Sequence, residues 1–328
     1  MNGPSLARAA LLALAIAAAP PQEQRPAFRS GIDLVHVAVS VTDRKGNPAT
    51  ELTEQDFEVY EDGKRQQIRY FLSGGSRRTD EAAPAPELHL GTLLDMSGSM
   101  ENDIALVRSA AIKFLNTLTD ADDITLVDFD TEVRIARYHP SNFPRLVERI
   151  RRLKPDGYTA LYDAIGVFLD NAFSDQGRKI LVVYTDGADN QSSITLADLR
   201  QLLRASDVTV YTIGFLEHLS TAARVSLQVN LREIAEITGG QFFAPLSIKD
   251  LSASYEKVRR EIDAQYELGY LSTNERTDGA WRKVQIKLVG PGRKGLALRA
   301  RQGYFAPYRD KGRGRGPAAQ GTAGGPSR

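Results

Sequence analysis

The sequence predicts an α/β protein: a doubly wound, mostly parallel sheet inserted in a small β-sandwich that the N- and C-terminal segments form together. Three observations predict it. Between Leu88 and Ala264, short apolar runs alternate with amphipathic segments, the pattern of repeated β-α units. One run, Lys179-Ile180-Leu181-Val182-Val183-Tyr184, is apolar almost throughout, as a strand buried on both faces should be. On either side lie β-rich stretches, each too small to make a stable sandwich alone, so the two are expected to pair.

Met1 to Ala19 reads as a secretory signal peptide, with Arg8 in a cationic start, an apolar run from Ala9, and small residues before Pro20. The run is too short to span a bilayer, which takes about 20 apolar residues. Residues 30–75 form the first sandwich segment. Leu34 to Val41 alternates apolar and polar for part of its length, and Arg44-Lys45-Gly46-Asn47-Pro48 is a turn cluster. Phe57–Tyr60 and Ile68–Phe71 read as two strands, with an Asp62-Gly63 hairpin signal between them. Residues 76–87 are a polar, Pro/Gly-rich linker.

Residues 88–264 form the α/β unit. Strands are expected at Leu88–Leu94, Ile124–Phe129, Lys179–Tyr184, Val208–Phe215 and Gln241–Ala244. Ile104, Val107, Ala111, Phe114 and Leu118 make one apolar helical stripe. Further helices are expected at Phe143–Leu153, Ala160–Phe173, Leu196–Ala205, Leu231–Thr238, stopped by Gly239-Gly240, and Leu251–Ala264. Residues 265–306 return to β structure, in strands Tyr266–Leu271, Trp281–Val289 and Leu296–Tyr304, with Trp281 expected in the sandwich core. Residues 307–328 are basic, rich in Gly, Pro and Ala, and predicted to be disordered.

Composition narrows the chemistry. There is no cysteine among 328 residues, which excludes disulfides, thiolate metal sites and cysteine nucleophiles. The four histidines, His36, His89, His139 and His218, lack the i, i+4 spacing of a zinc protease. The formal charge of +1 gives no net drive toward nucleic acid. That figure averages unlike parts. The tail from Arg309 holds five cations and one anion, the leader takes Arg8 with it, and the body between them carries −4.

Three loops of the α/β unit carry the candidate chemistry. The first strand ends in Asp95-Met96-Ser97-Gly98-Ser99, Thr159 lies in Gly157-Tyr158-Thr159-Ala160-Leu161 before a helix, and Asp186 follows the buried strand in Thr185-Asp186-Gly187. In an open parallel sheet, ligands bind outside the carboxyl ends of the strands. Two carboxylates and three hydroxyls, with no sulfur and no imidazole, suit a hard cation such as Mg²⁺, which keeps water readily and leaves a position open. Read alone, Asp-x-Ser-x-Ser also suits a helix cap with Ser99 at the N-cap. Asp128, Asp130, Asp163 and Asp189 read as loop charges, caps or supporting partners, Met96 and Met100 as packing, and His89 as structural.

With these elements in this order, the chain resembles a von Willebrand factor type A (VWA) domain with a metal-ion-dependent adhesion site. Asp95, Ser97 and Ser99 match the family's Asp-x-Ser-x-Ser, Thr159 its threonine, and Asp186 its aspartate in Thr-Asp-Gly. The flanks, with Asp56-Phe57-Glu58-Val59 and Arg301-Gln302-Gly303-Tyr304-Phe305, resemble a bacterial group of exported VWA-related proteins. The resemblance implies Mg²⁺, or Mn²⁺, held directly by Ser97, Ser99 and, in a high-affinity state, Thr159. Asp95 and Asp186 would act largely through water. It implies an exported, periplasmic or secreted adhesion module whose metal accepts an Asp or Glu carboxylate from a protein partner, with no membrane span, no nucleic acid and no catalysis.

Two other readings stay open on the sequence. One is a haloacid-dehalogenase-like Mg²⁺ phosphatase, although Ser97 stands where that class needs its acid. No Gly-x-Ser-x-Gly elbow and no phosphate-binding loop occurs either. The other is a module that holds metal only for stability.

Overall fold

A computed structural model describes residues 34–74, 87–118, 120–172, 177–217 and 219–308. The leader, nearly all of the linker, the basic tail and His218 lie outside the described residues.

The chain opens with β1 (Leu34–Thr42), in which Val35, Val37, Val39 and Val41 fill one face and are buried. After a turn held by Asp43, whose Oδ1 accepts from the Lys45 and Asn47 amides, the chain enters β2 (Phe57–Glu61). A tight hairpin leads to β3 (Lys64–Gln66). Asp62 and Gly63 both take positive φ, 48° and 81°, the backbone of a two-residue turn whose twist matches the strands. Replacing Gly63 by Ala keeps the contacts but strains φ, and is expected to lower the urea midpoint by an amount equivalent to about 1 kcal/mol. The strand returning from the turn is thus β3. The segment expected to pair there is β4 (Ile68–Leu72), and it crosses to another sheet.

The α/β unit follows as β5 (Leu88–Asp95), α1 (Ile104–Thr117), β6 (Asp123–Phe129), β7 (Val133–Tyr138), α2 (Phe143–Arg152), α3 (Leu161–Asn171), β8 (Arg178–Thr185), α4 (Leu196–Ala205), β9 (Thr209–Gly214), α5 (Thr221–Ile237), β10 (Phe242–Phe243) and α6 (Ile248–Ala264). Its six strands run in the order β10-β9-β8-β5-β6-β7. All neighbours are parallel except β7, an edge strand antiparallel to β6. Every residue of β5 and β8 is buried, because helices cover both faces. On one face Val107, Phe114, Leu146, Tyr255 and Val258 from α1, α2 and α6 form a core. On the other, Leu161, Ile165, Phe168, Leu199, Leu203 and Leu231 from α3, α4 and α5 form a second.

The chain then returns through β11 (Tyr266–Leu271), β12 (Trp281–Leu288), β13 (Ala297–Ala300) and β14 (Gly303–Phe305). These interleave with the first four strands in two antiparallel sheets, β13-β1-β11-β4 and β14-β12-β2-β3. Val37, Val39, Phe57, Val59, Tyr266, Leu268, Tyr270 and Val284 fill the space between them. The fold is therefore a VWA-type α/β sheet flanked by two smaller antiparallel sheets that resemble a sandwich. The two parts are riveted by ion pairs: Arg299 of β13 with Glu261 of α6, and Arg178 of β8 with Glu267 of β11 at 3.1 Å.

Three local expectations need correction, and one strand, β7, was not among the expected elements. Leu296–Tyr304 is two strands in different sheets, since the chain changes sheet at Arg301-Gln302. α5 begins at Thr221, ten residues before Leu231, because Val225 and Val229 face solvent and break the apolar stripe that marks a helix. β7 pairs on one side only, and its half-buried residues show no clean alternation. Trp281 is half-buried on the outer face of its sheet, edge-on to Phe305 at 5.1 Å between ring centroids, and not in the core.

Candidate functional site at the carboxyl edge of the central sheet

β5 is the point where the winding reverses, since β6 lies on one side of it and β8 on the other. The crevice beyond the carboxyl ends of such a strand pair is where open α/β sheets place ligands. Asp95 is the last residue of β5, and Asp186 follows the last residue of β8. Both are buried, as are Ser97 and Thr159, whereas Ser99 is exposed at the mouth.

The three loops are tied to one another. The Gly98 amide donates to the Gly157 carbonyl at 3.1 Å, and the Asp156 amide to the Met96 carbonyl at 2.7 Å, joining the first loop to the second. Gly157 takes φ +69°, which lets the chain turn back toward Gly98. The second and third loops are joined by the Asn190 side chain, whose Oδ1 accepts from the Thr159 amide at 2.9 Å, while the Asn190 and Gln191 amides donate to the Thr159 carbonyl at 3.1 Å. Thr159 is thereby fixed on both sides of its own peptide.

Hydroxyls surround the Asp95 carboxylate. Oδ1 accepts from the Ser97 amide at 2.9 Å and from Ser97 Oγ at 2.6 Å, and Oδ2 accepts from Thr185 Oγ1 at 2.6 Å. Ser97 Oγ lies 3.1 Å from Ser99 Oγ, so the hydroxyls form a chain running outward from Asp95. Burial pushes the Asp95 carboxyl up to about 7; the Ser97 and Thr185 hydrogen bonds oppose this, and the nearby Asp186 carboxylate adds to it. Two buried acids in one crevice favour a cation placed between them. The helix-cap alternative does not describe these serines. Ser97 and Ser99 sit at a short 3₁₀ turn, Gly98–Met100, the Ser97 side chain makes no cap bond there, and α1 starts later, with Asp103 at its N-cap.

The neighbouring acids have other work. Asp128 is buried between Arg134 Nε, at 2.7 Å, and Arg149, and Asp130 pairs with Arg134 at 2.6 Å. Asp189 accepts from the Leu161 amide at 3.2 Å and so serves the N-terminus of α3 from another loop. Asp163 holds the Ser193 and Ile194 amides. Met96 and Met100 are buried packing residues, and His89 Nδ1 lies 2.8 Å from Asp123 at the opposite end of β5. Sequence reasoning missed Thr185 and Asn190. Thr185 adjoins Asp186 and offered a signal in hindsight; Asn190 offered none, because its role depends on how the loop folds back.

Among the described residues, no group of three or more His, Cys, Asp or Glu side chains is placed to hold a metal ion. The crevice is of another kind: two carboxylates and several hydroxyls, a donor set that suits a hard cation retaining water.

The family model for the von Willebrand factor type A domain matches residues 89–257, more than half of the chain. The chain belongs to the VWA domain family. VWA domains are typically non-catalytic protein-interaction modules. The chain is similar in structure to the minor pilin PilB from Streptococcus sanguinis, at 17% identity and a TM-score of 0.46, over 57% of this chain and 64% of the pilin. It is also similar to a von Willebrand factor type A protein from Catenulispora acidiphila (16% identity, TM-score 0.46, 87% of this chain and 76% of that one). A third similar structure is the vWF domain of the type V pili tip protein Mfa5 from Porphyromonas gingivalis (14% identity, TM-score 0.46, 60% of this chain and all of that one). The VWA match ends at residue 257, inside α6, and the sandwich strands lie outside it. Among the described residues, no helix is long and apolar enough to cross a membrane.

Proposed function

We propose that this VWA domain binds a protein partner by capturing an Asp or Glu carboxylate on a Mg²⁺ ion, or Mn²⁺, held by Asp95, Ser97, Ser99, Thr159 and Asp186. The observation that carries the reading is the buried pair Asp95 and Asp186 at the switch point of the sheet, inside a chain of hydroxyls leading to solvent. The cation would supply positive charge and an exchangeable position. Ser97 and Ser99 would hold it directly, as would Thr159 in a high-affinity state, and Asp95 and Asp186 largely through water. Thr185 and the Ser97 amide orient the Asp95 carboxylate, and Asn190 holds the Thr159 backbone in place.

The partner's carboxylate is favoured because further anionic oxygen completes the charge balance around a divalent ion. Residues 88–264 act in this reading as the binding domain, with 30–75 and 265–306 as its sandwich support. Residues 1–19, with the pattern of a cleaved leader, support export to the periplasm or the cell exterior.

Pull-down from periplasmic or surface extract tests it. Partners should be captured in Mg²⁺, released by EDTA, and lost with Thr159→Ala. Capture indifferent to both would sink the reading. Stabilisation by Mg²⁺ without any Mg²⁺-dependent partner would reduce the metal to a structural role, and phosphatase activity abolished by Asp95→Ala would replace the reading with an enzymatic one.

A further inference from the structure

A second recognition surface lies away from the switch-point crevice, where α4 overhangs the outer face of the β14-β12-β2-β3 sheet. Along β12, Arg282 and Val284 are buried, while Trp281, Lys283 and Gln285 point the other way. Register places Phe305 beside Trp281 and Gly303 beside Lys283. With Gln201 and Arg204 of α4 and Gln302, the side chains of Trp281, Lys283, Gln285 and Phe305 line a groove of about 690 Å³. That size is within the range of small-ligand sites, about 300–1,000 Å³.

Gly303 and Phe305 border the indole. A Cβ at residue 303 would stand 2.4 Å from the Trp281 ring and 2.2 Å from the Arg282 carbonyl, so glycine there leaves the space the ring occupies. Phe305, 39% exposed, meets the indole in a T-shaped contact. The result is an aromatic platform at the groove.

Charge and hydrogen-bonding capacity select the ligand. No acidic residue lines the groove, and neither the Arg204 guanidinium nor the Lys283 ammonium is in an ion pair among the described residues, although the Lys283 backbone amide donates to the Asp62 carboxylate at 2.9 Å. Three glutamine side chains, Gln201, Gln285 and Gln302, each offer both donors and an acceptor. Sugar hydroxyls are likewise donor and acceptor at once, and the C–H face of a pyranose packs on the negative face of an indole. The two cations suit carboxylates. A peptide adding to the edge of β14 is disfavoured because α4 packs against that strand. The chain's own tail, net +4, would be repelled by the two cations.

We propose that this groove binds an acidic oligosaccharide of the uronic-acid type. Trp281 would stack on a sugar ring, the glutamines would meet its hydroxyls, and Arg204 and Lys283 its carboxylates.

Trp281 is the chain's single tryptophan, so its fluorescence reports on this groove alone. The full chain is titrated with tetragalacturonate in EDTA, which removes any contribution from a metal-bound carboxylate. A saturable fluorescence change is expected, with affinity about tenfold weaker in Arg204→Gln and in Lys283→Gln and similarly weaker for neutral cellotetraose. Calorimetry should find no binding to Trp281→Ala. Gln285→Ala, an exposed change that leaves the core intact, should weaken binding while preserving the circular dichroism spectrum. No saturable change, equal affinity for cellotetraose, unchanged affinity in both cation variants, or binding of a Glu-rich hexapeptide in place of the saccharide would each overturn the proposal.

Discussion

Mg²⁺ added to the protein in metal-free buffer is expected to raise its melting temperature, and Asp186→Ala or Ser97→Ala to abolish the rise. The expectation follows from linkage: a ligand that binds only the folded state stabilises it, by about 2.7 kcal/mol at a concentration a hundredfold above Kd. In a chain of this size that amounts to roughly 4–5 °C. The unfolded chain has no such arrangement, since the five residues come from three separated loops that tertiary contacts such as Gly98–Gly157, Thr185–Asp95 and Thr159–Asn190 bring together. Asn190→Ala should weaken the Mg²⁺ effect without removing a donor, by loosening the Thr159 backbone. Differential scanning fluorimetry against Mg²⁺ concentration gives the answer. A rise of equal size in Asp186→Ala would place any bound metal elsewhere.

Without metal, the stability of the protein is expected to fall as pH rises from about 4 to about 7, and Asp95→Asn to remove most of that fall. The ordinary Asp95 value is 3.8, and burial foremost pushes the folded-state value to about 7. Between these values the folded state keeps a proton that the unfolded chain has released, so raising pH favours unfolding. Above about 7 both states are ionised and the loss levels off. The difference between those two values corresponds to roughly 4 kcal/mol. Urea midpoints in EDTA should therefore show Asp95→Asn more stable than the native chain at pH 8 and equal to it near pH 4, yet unresponsive to Mg²⁺. Asp43, Asp56, Asp130, Asp198 and Asp278 are all held below the usual carboxylate range, and they stabilise in the opposite sense, losing their contribution as pH falls below about 4. Because they are common to both proteins, the difference between the curves isolates Asp95. Parallel curves for the two proteins from pH 4 to 8 would show that burying this carboxylate costs nothing.

The α/β unit was largely legible because its signals are local. Lys179 to Tyr184 is apolar for being buried on both faces, and the α1 stripe follows the helical period. The sandwich was legible as a pairing of flanks but not strand by strand. Asp62-Gly63 identifies a hairpin, yet nothing local says that its second strand is the three-residue β3 and that the next strand leaves for the other sheet. Leu296 to Tyr304 reads as continuous β for the same reason: a change of sheet is a tertiary event. Trp281 was misplaced because an aromatic in a strand fits either face, and register alone turned it outward beside Phe305.

The sequence by itself determined the membership in the VWA family, the β-α alternation of the central unit apart from its edge strand β7, and the oxygen-only character of the candidate ligands, since the chain has no cysteine and places Asp95, Ser97, Ser99, Thr159 and Asp186 at strand and helix ends. Tertiary structure decided what those residues experience. Only the folded chain buries Asp95 beside Asp186, closes Thr185 and Ser97 around it, and fixes Thr159 through a side chain 31 residues away. Residue types specify which atoms can donate or accept. The desolvation, proximity and hydrogen bonding that set their charge arise only when separated loops pack together, and so does the platform that Gly303 makes possible beneath Trp281.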